Sequence, residues 1–158
     1  MEKYKIDDRT NLIISNLAIK KLNKYRQLGR MKENGGILLG KIKADFSEFI
    51  ICDISEPCEK DKKFRYGFVR NKENAQKIIN EVWKSSNGEV VYIGEWHSHP
   101  ECNPKPSYVD NELIIRCSKE ISNLPTFIFL MIIGQDGSKY ISCKKVGTDD
   151  LKELSKEQ

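Results

Sequence analysis

Gly94-Glu95-Trp96-His97-Ser98-His99-Pro100, followed after six residues by Ser107-Tyr108-Val109-Asp110, holds both histidines of the 158-residue chain. The residues from Glu89 to Ser98 read as a strand that Pro100 ends. Side chains alternate faces along a strand, so His97 and His99 project to one side and Ser98 to the other. Two imidazoles placed this way can reach one metal ion. Ser107 and Asp110 are spaced as the N-cap and N3 residues of a helix, the pattern of a capping box. They share one face of that helix, and Asp110 could supply a carboxylate oxygen as third ligand. Two nitrogens, one oxygen and an open fourth position describe a catalytic zinc site. On spacing alone, His-x-His is weak evidence and Ser-x-x-Asp reads first as a cap. The two roles are compatible, because a carboxylate held at N3 still offers an oxygen.

The neighbours of this stretch take simpler readings. Trp96 faces away from the histidines and belongs to the core. Glu95 shares their face and stays outside the ligand set, as a supporting or groove-lining residue. Cys102, between the ligands, reads as a spectator thiol.

Outward from there, the chain alternates short strands and helices. Leu12–Ile14 reads as a strand, and Ser15 caps a helix with apolar Ala18, Leu22 and Tyr25 that ends near Gly29. Glu33-Asn34-Gly35-Gly36 leads into a buried strand at 37–40, which turns near Asp45 and returns through Phe49–Ile54. A charged loop at 56–63 precedes a strand at 64–69. Asn71 caps a helix with the apolar stripe Ala75, Ile78, Ile79, Val82 and Trp83, ended by Asn87-Gly88. The helix opened by Ser107 has its stripe at Leu113, Ile114, Cys117 and Ile121. A last hairpin joins 126–133 to 139–146 through Gln135-Asp136-Gly137-Ser138. The polar residues 147–158 are expected to be a tail, with frayed helix at most. The expected architecture is one mixed α/β domain over 1–158, with its core at about 10–146. Its sheet is twisted, mostly antiparallel and flanked by helices, not doubly wound and parallel.

Composition narrows the function classes. The longest apolar run, Phe127–Ile133, is far too short to span a bilayer as a helix. The first ten residues are charged and unlike a secretory signal. Five cysteines, an odd number with no Cys-x-x-Cys, read as reduced thiols, and a cytoplasmic location is expected. The net charge is +4, but residues 1–32 carry +6 and residues 33–158 carry −2. A modest basic excess on one helix reads as a solvated face or a protein-docking surface and is only weak evidence for nucleic acid, which usually needs a stronger stripe, so nucleic acid is not the expected partner.

The full pattern His97-x-His99-x7-Ser107-x2-Asp110, with Glu33 upstream before Gly35-Gly36-Ile37-Leu38-Leu39-Gly40, resembles the JAMM (MPN+) zinc metalloprotease family. The order of elements agrees over about 10–146. The resemblance implies a cytidine-deaminase-like fold and one Zn2+ per chain, bound by His97, His99 and Asp110. It also implies Glu33 as general base and Ser107 as donor to the oxyanion. The wording Gly94–Pro100 and the small size are similar to bacterial stand-alone members, including the deconjugating peptidase of CBASS antiphage operons. That likeness implies an isopeptidase whose substrate is a protein C-terminal tail, ubiquitin-like or from a cGAS-like nucleotidyltransferase, joined to a lysine. Ubiquitin-activating-like and conjugating-like enzymes would be its pathway partners. The alternatives are a peptidase processing ubiquitin-like or sulfur-carrier proteins, a non-catalytic MPN interaction module, and a RadC-like DNA-associated protein.

Overall fold

The computed structural model describes residues 1–122 and 124–158. Ten strands and three helices follow in the order β1 (Glu2–Lys5), β2 (Asn11–Ile14), α1 (Asn16–Asn23), β3 (Gly35–Ile42), β4 (Glu48–Ile54), β5 (Lys62–Phe64), β6 (Gly67–Val69), α2 (Lys72–Ser85), β7 (Val91–Ser98), α3 (Tyr108–Lys119), β8 (Phe127–Ile133), β9 (Lys139–Lys145) and β10 (Leu151–Glu153). Eight strands form one sheet in the order β1-β2-β4-β3-β7-β8-β9-β10, and β5-β6 form a separate hairpin. Only β2–β4 and β7–β8 pair in parallel, so the sheet is mixed and mostly antiparallel, as expected.

Alternate residues of the central strands bury two different cores. On one face Leu38, Trp96, Phe129 and Met131 join Ala18 and Leu22 of α1. On the other, Ile128, Leu130 and Ile132 pack under Ile114 and Cys117 of α3, while Ile37 and Leu39 pack under Ala75 of α2. Helices α2 and α3 therefore share a face and leave a gap over β7. Side-chain oxygens fix where the helices begin: Ser15 Oγ accepts from Ala18 N and Asn71 Oδ1 from Asn74 N.

Four expectations need correction. The first helix stops at Asn23 rather than near Gly29. The segment 64–69 is not one strand but half of a hairpin, with Arg65 and Tyr66 at its turn. Trp83 is 57 % exposed and lies outside the apolar stripe, which α2 completes with partly buried Ile78, Ile79 and Val82. The ends of the chain are strands: β10 pairs with β9, and Tyr4 of β1 bridges to Lys156. Glu157 N donates to Lys3 O at 2.8 Å and Lys5 N to Ser155 O at 3.4 Å, so the two edges of the curled sheet meet. Tyr4 and Leu154 are each only 5 % exposed, so the core extends to both ends.

Gly94 marks the closest approach between the strands beside the site. Its φ is +150°, and a Cβ there would lie 1.9 Å from Phe129 O. Gly94→Ala should therefore prise β7 from β8 and cost about 3 kcal/mol or more. A fall in the urea midpoint at unchanged slope measures this.

Candidate metal centre

His97 lies on β7 between Gly35 of β3 and Ile132 of β8. His99 is one residue past the strand, and its backbone N still donates to Ile133 O at 3.1 Å. The loop from Pro100 to Pro106 then carries the chain to α3, and Gln135 N and Ser138 Oγ hold it through Glu101 O and Asn103 N. At the start of α3 the capping box forms as expected: Ser107 N donates to Asp110 Oδ2 at 2.7 Å, and Asp110 N to Ser107 Oγ at 3.2 Å. This fixes the Asp110 carboxylate over the histidines. Asp110 Oδ1 is 2.9 Å from His97 Nε2, and Oδ2 is 3.1 Å from His99 Nε2.

Among the described residues this buried trio is the one group of three His, Cys, Asp or Glu side chains able to hold a metal, with ligand atoms all within 4.8 Å of one another. His97 Nε2 is buried and lies 2.9 Å from Asp110 Oδ1 with no hydrogen-bond partner of its own. An orphaned buried nitrogen costs about 1–3 kcal/mol. A cation between the imidazoles and the carboxylate would satisfy every donor atom, so the residues fit a divalent ion with two nitrogen ligands and one oxygen.

The surroundings prepare these groups. Glu101 Oε1 lies 3.1 Å from His99 Nδ1, which directs the ring's other nitrogen toward Asp110. Glu101 was not among the residues picked from sequence, although His-x-Glu within one turn was a local signal. Burial alone would raise the Asp110 carboxyl, but His97 and His99 outweigh it and hold it well below the usual carboxylate range. Cys102 is exposed and outside the trio.

Glu33 is brought in by backbone contacts. Its N donates to Phe64 O at 2.7 Å, Asn34 N donates to Ser98 Oγ at 2.9 Å, and Ser98 N returns to Asn34 O. The serine between the histidines therefore ties the glutamate segment to β7. Gln27, wholly buried, donates to both Met31 O and Arg65 O at 2.8 Å and joins the same segment to the β5–β6 hairpin. Glu33 Oε1 ends 4.0 Å from His99 Nε2. Burial pushes its carboxyl up to about 7, against the pull of His99.

From this centre a cavity of about 970 Å3 runs between β6 and α3 over β7. Phe68 and Val69 line one side, Tyr108 and Leu113 the other, and Glu95 the floor. Trp96 is turned away from the histidines, 1 % exposed in the opposite core, with Nε1 donating to Ser55 O. Glu95 is buried and bonded to Arg70, Nε to Oε1 at 2.6 Å. Arg70, just before the α2 cap, was not picked from sequence, since no local pattern links it to a strand 25 residues on.

A curled sheet with a buried His-His-Asp trio at the end of a central strand, and a glutamate held against it, is the architecture of a JAB-type domain. The chain belongs to the family of prokaryotic homologs of the JAB domain, whose profile matches residues 18–142. It is 35% identical over 153 residues to a CD-NTase/cGAS isopeptidase of Escherichia coli (strain TW11681), covering 96% of this chain and 92% of that protein. It is 34% identical over 108 residues to a CD-NTase/cGAS isopeptidase of Vibrio cholerae, covering 68% of each. A protein of Desulfitobacterium hafniense solved in solution has the same fold, with a TM-score of 0.57 at 15% identity, over 90% of this chain and 88% of that one. No helix among the described residues is long and apolar enough to cross a membrane.

Proposed function

We propose that the protein is a zinc-dependent isopeptidase. It hydrolyses the amide between a conjugated protein's C-terminus and a lysine, and the conjugated protein is a cGAS-like nucleotidyltransferase. The observation that carries this reading is the convergence of His97, His99 and Asp110 beside Glu33, at the head of a groove. The names of the similar proteins supply the substrate class. A conjugating system of ubiquitin-activating-like and conjugating-like enzymes would make the substrate.

His97, His99 and Asp110 would hold one Zn2+. The ion supplies Lewis acidity toward the scissile carbonyl and makes water a stronger acid. Glu33, whose carboxyl lies near neutrality before any cation draws it down, takes the proton of the attacking water and passes it to the departing lysine amine. Ser107 is exposed at the groove. Its Oγ accepts the cap bond with a lone pair, which leaves its O–H free to donate to the carbonyl oxygen as negative charge develops there. The walls of the groove exclude water from an extended chain and keep its last carbonyl beside these groups.

The test is incubation of the purified protein with a lysine-linked nucleotidyltransferase conjugate, with cleavage followed on a gel and zinc measured in the same sample. Release of both partners intact is expected; an uncut conjugate with about one zinc bound would overturn the reading. Ser107→Ala should separate its two roles. Losing the cap lowers stability by about 1 kcal/mol. Losing the donor lowers kcat by about 10²–10³-fold. Ser107→Asp, which keeps a cap acceptor without an O–H, should recover the melting temperature and not the rate.

A further inference from the structure

The inner end of the groove holds a polar group that none of the steps above uses. Arg70 crosses from the start of α2 to the floor and bonds Glu95 through Nε, at 2.6 Å from Oε1. Glu95 is 2 % exposed, whereas the Arg70 side chain keeps 23 % of its surface open. Arg70 is held well above its ordinary value, with the Glu95 charge outweighing the effect of burial, and so stays cationic. A guanidinium has five N–H donors in one plane, and this bond uses the Nε edge. The Nη atoms remain, and Arg70 lines the cavity. Its orientation is fixed before any ligand arrives, which lowers the cost of binding one.

We propose that Arg70 is a specificity-determining residue of the groove. It pairs through its Nη edge with the carboxylate of an acidic side chain on the bound tail, two or three residues before the scissile carbonyl. The position follows from the strand spacing. Glu95 lies two residues before the proposed ligand His97 on β7, about 7 Å back along the strand, the length of two residues of extended chain. Other charged groups at this end are Lys72 and Arg116 on one side of the balance and Glu112 and Glu120 on the other. Net charge therefore does not select the ligand; the fixed planar fork does, because it fits a carboxylate in two parallel bonds.

The proposal rests on the isopeptidase reading, and its test separates the two. The probes are ten-residue tails on a reporter protein, each linked by its C-terminal carboxyl to the lysine amine of a fluorescent peptide. Glu, Gln or Lys is placed at one of the four positions preceding the last residue. The wild-type protein should cleave the tail with Glu two or three residues before the bond at least tenfold faster, in kcat/KM, than the Lys version. The difference should lie mainly in KM. Arg70→Lys keeps the charge opposite Glu95 and loses the fork, and should erase most of the Glu-over-Gln preference without changing the melting temperature by more than a few degrees. Cleavage of all tails at equal rates by the wild type overturns the proposal and leaves the isopeptidase reading standing. Failure to cleave any of them while the nucleotidyltransferase conjugate is cut also overturns the proposal; failure on both overturns the isopeptidase reading itself.

Discussion

Glu33→Gln is expected to lower cleavage by about 10²–10⁴-fold while leaving about one zinc per chain. Glutamine keeps the shape of the side chain and the Glu33 N–Phe64 O bond that places it, but it cannot accept a proton at neutral pH. The three residues proposed to hold the ion, His97, His99 and Asp110, are untouched by the change. Stability gives an independent control. In the metal-free protein the folded carboxyl lies at about 7, above its ordinary 4.5, because burial disfavours its charge. Ionising it therefore works against the folded state. This cost is absent below about pH 4.5, grows as pH rises, and is complete above about pH 7. Glutamine never pays it, so the metal-free variant should be at least as stable as the parent at pH 8, by urea titration. A variant that is inactive and also less stable at pH 8 would mean that Glu33 acts through packing rather than as a base.

The second large effect is expected for Asp110→Asn. The carboxylate does two jobs with its two oxygens: Oδ2 accepts from Ser107 N, and both face the imidazoles. An asparagine oxygen can keep the cap bond. Its NH2 would then point at His97 or His99, where an anionic oxygen is needed, so a cation loses both a ligand and a charge. Zinc by elemental analysis should drop from about one per chain to near zero, and cleavage should fall to background. Melting should shift by only a few degrees, since both cores lie outside the trio. Retention of stoichiometric zinc by this variant would remove Asp110 from the ligand set.

How much of this was visible beforehand depends on how far apart the cooperating residues lie. His97 and His99 are two residues apart and Ser107 and Asp110 three, so strand alternation and helix capping brought each pair together before any fold was known. Joining the pairs to each other and to Glu33 took the family pattern, because a seven-residue loop and a distant segment have no local geometry. The Arg70–Glu95 pair and the Gln27–Arg65 bond lay beyond reach for the same reason: each links residues tens of positions apart. The hairpin at 62–69 was half hidden because its three-residue strands are too short to alternate visibly. Trp83 misled in the usual way of a large apolar residue, which a helix can carry on its solvent side at modest cost. The terminal strands are hidden because their sequences are mostly polar, with single buried residues such as Tyr4 and Leu154 too isolated to show alternation; β1 is held by β2, β10 by β9, and the ends by the Tyr4–Lys156 bridge, with ion pairs such as Lys3–Glu157 alongside.

That meeting of Tyr4 with Lys156 has a further consequence for how the protein survives at high concentration. A sheet with two open edges offers unpaired backbone to any strand of another molecule and so invites aggregation. Here the edge strand β1 is engaged by residues 155–157, which follow the other edge strand, and lysines at 3, 5, 152 and 156 belong to these end segments. A misfolded neighbour finds little backbone to recruit. The β5–β6 hairpin, whose strand β6 lines the groove, stands apart from the main sheet in a two-stranded sheet of its own.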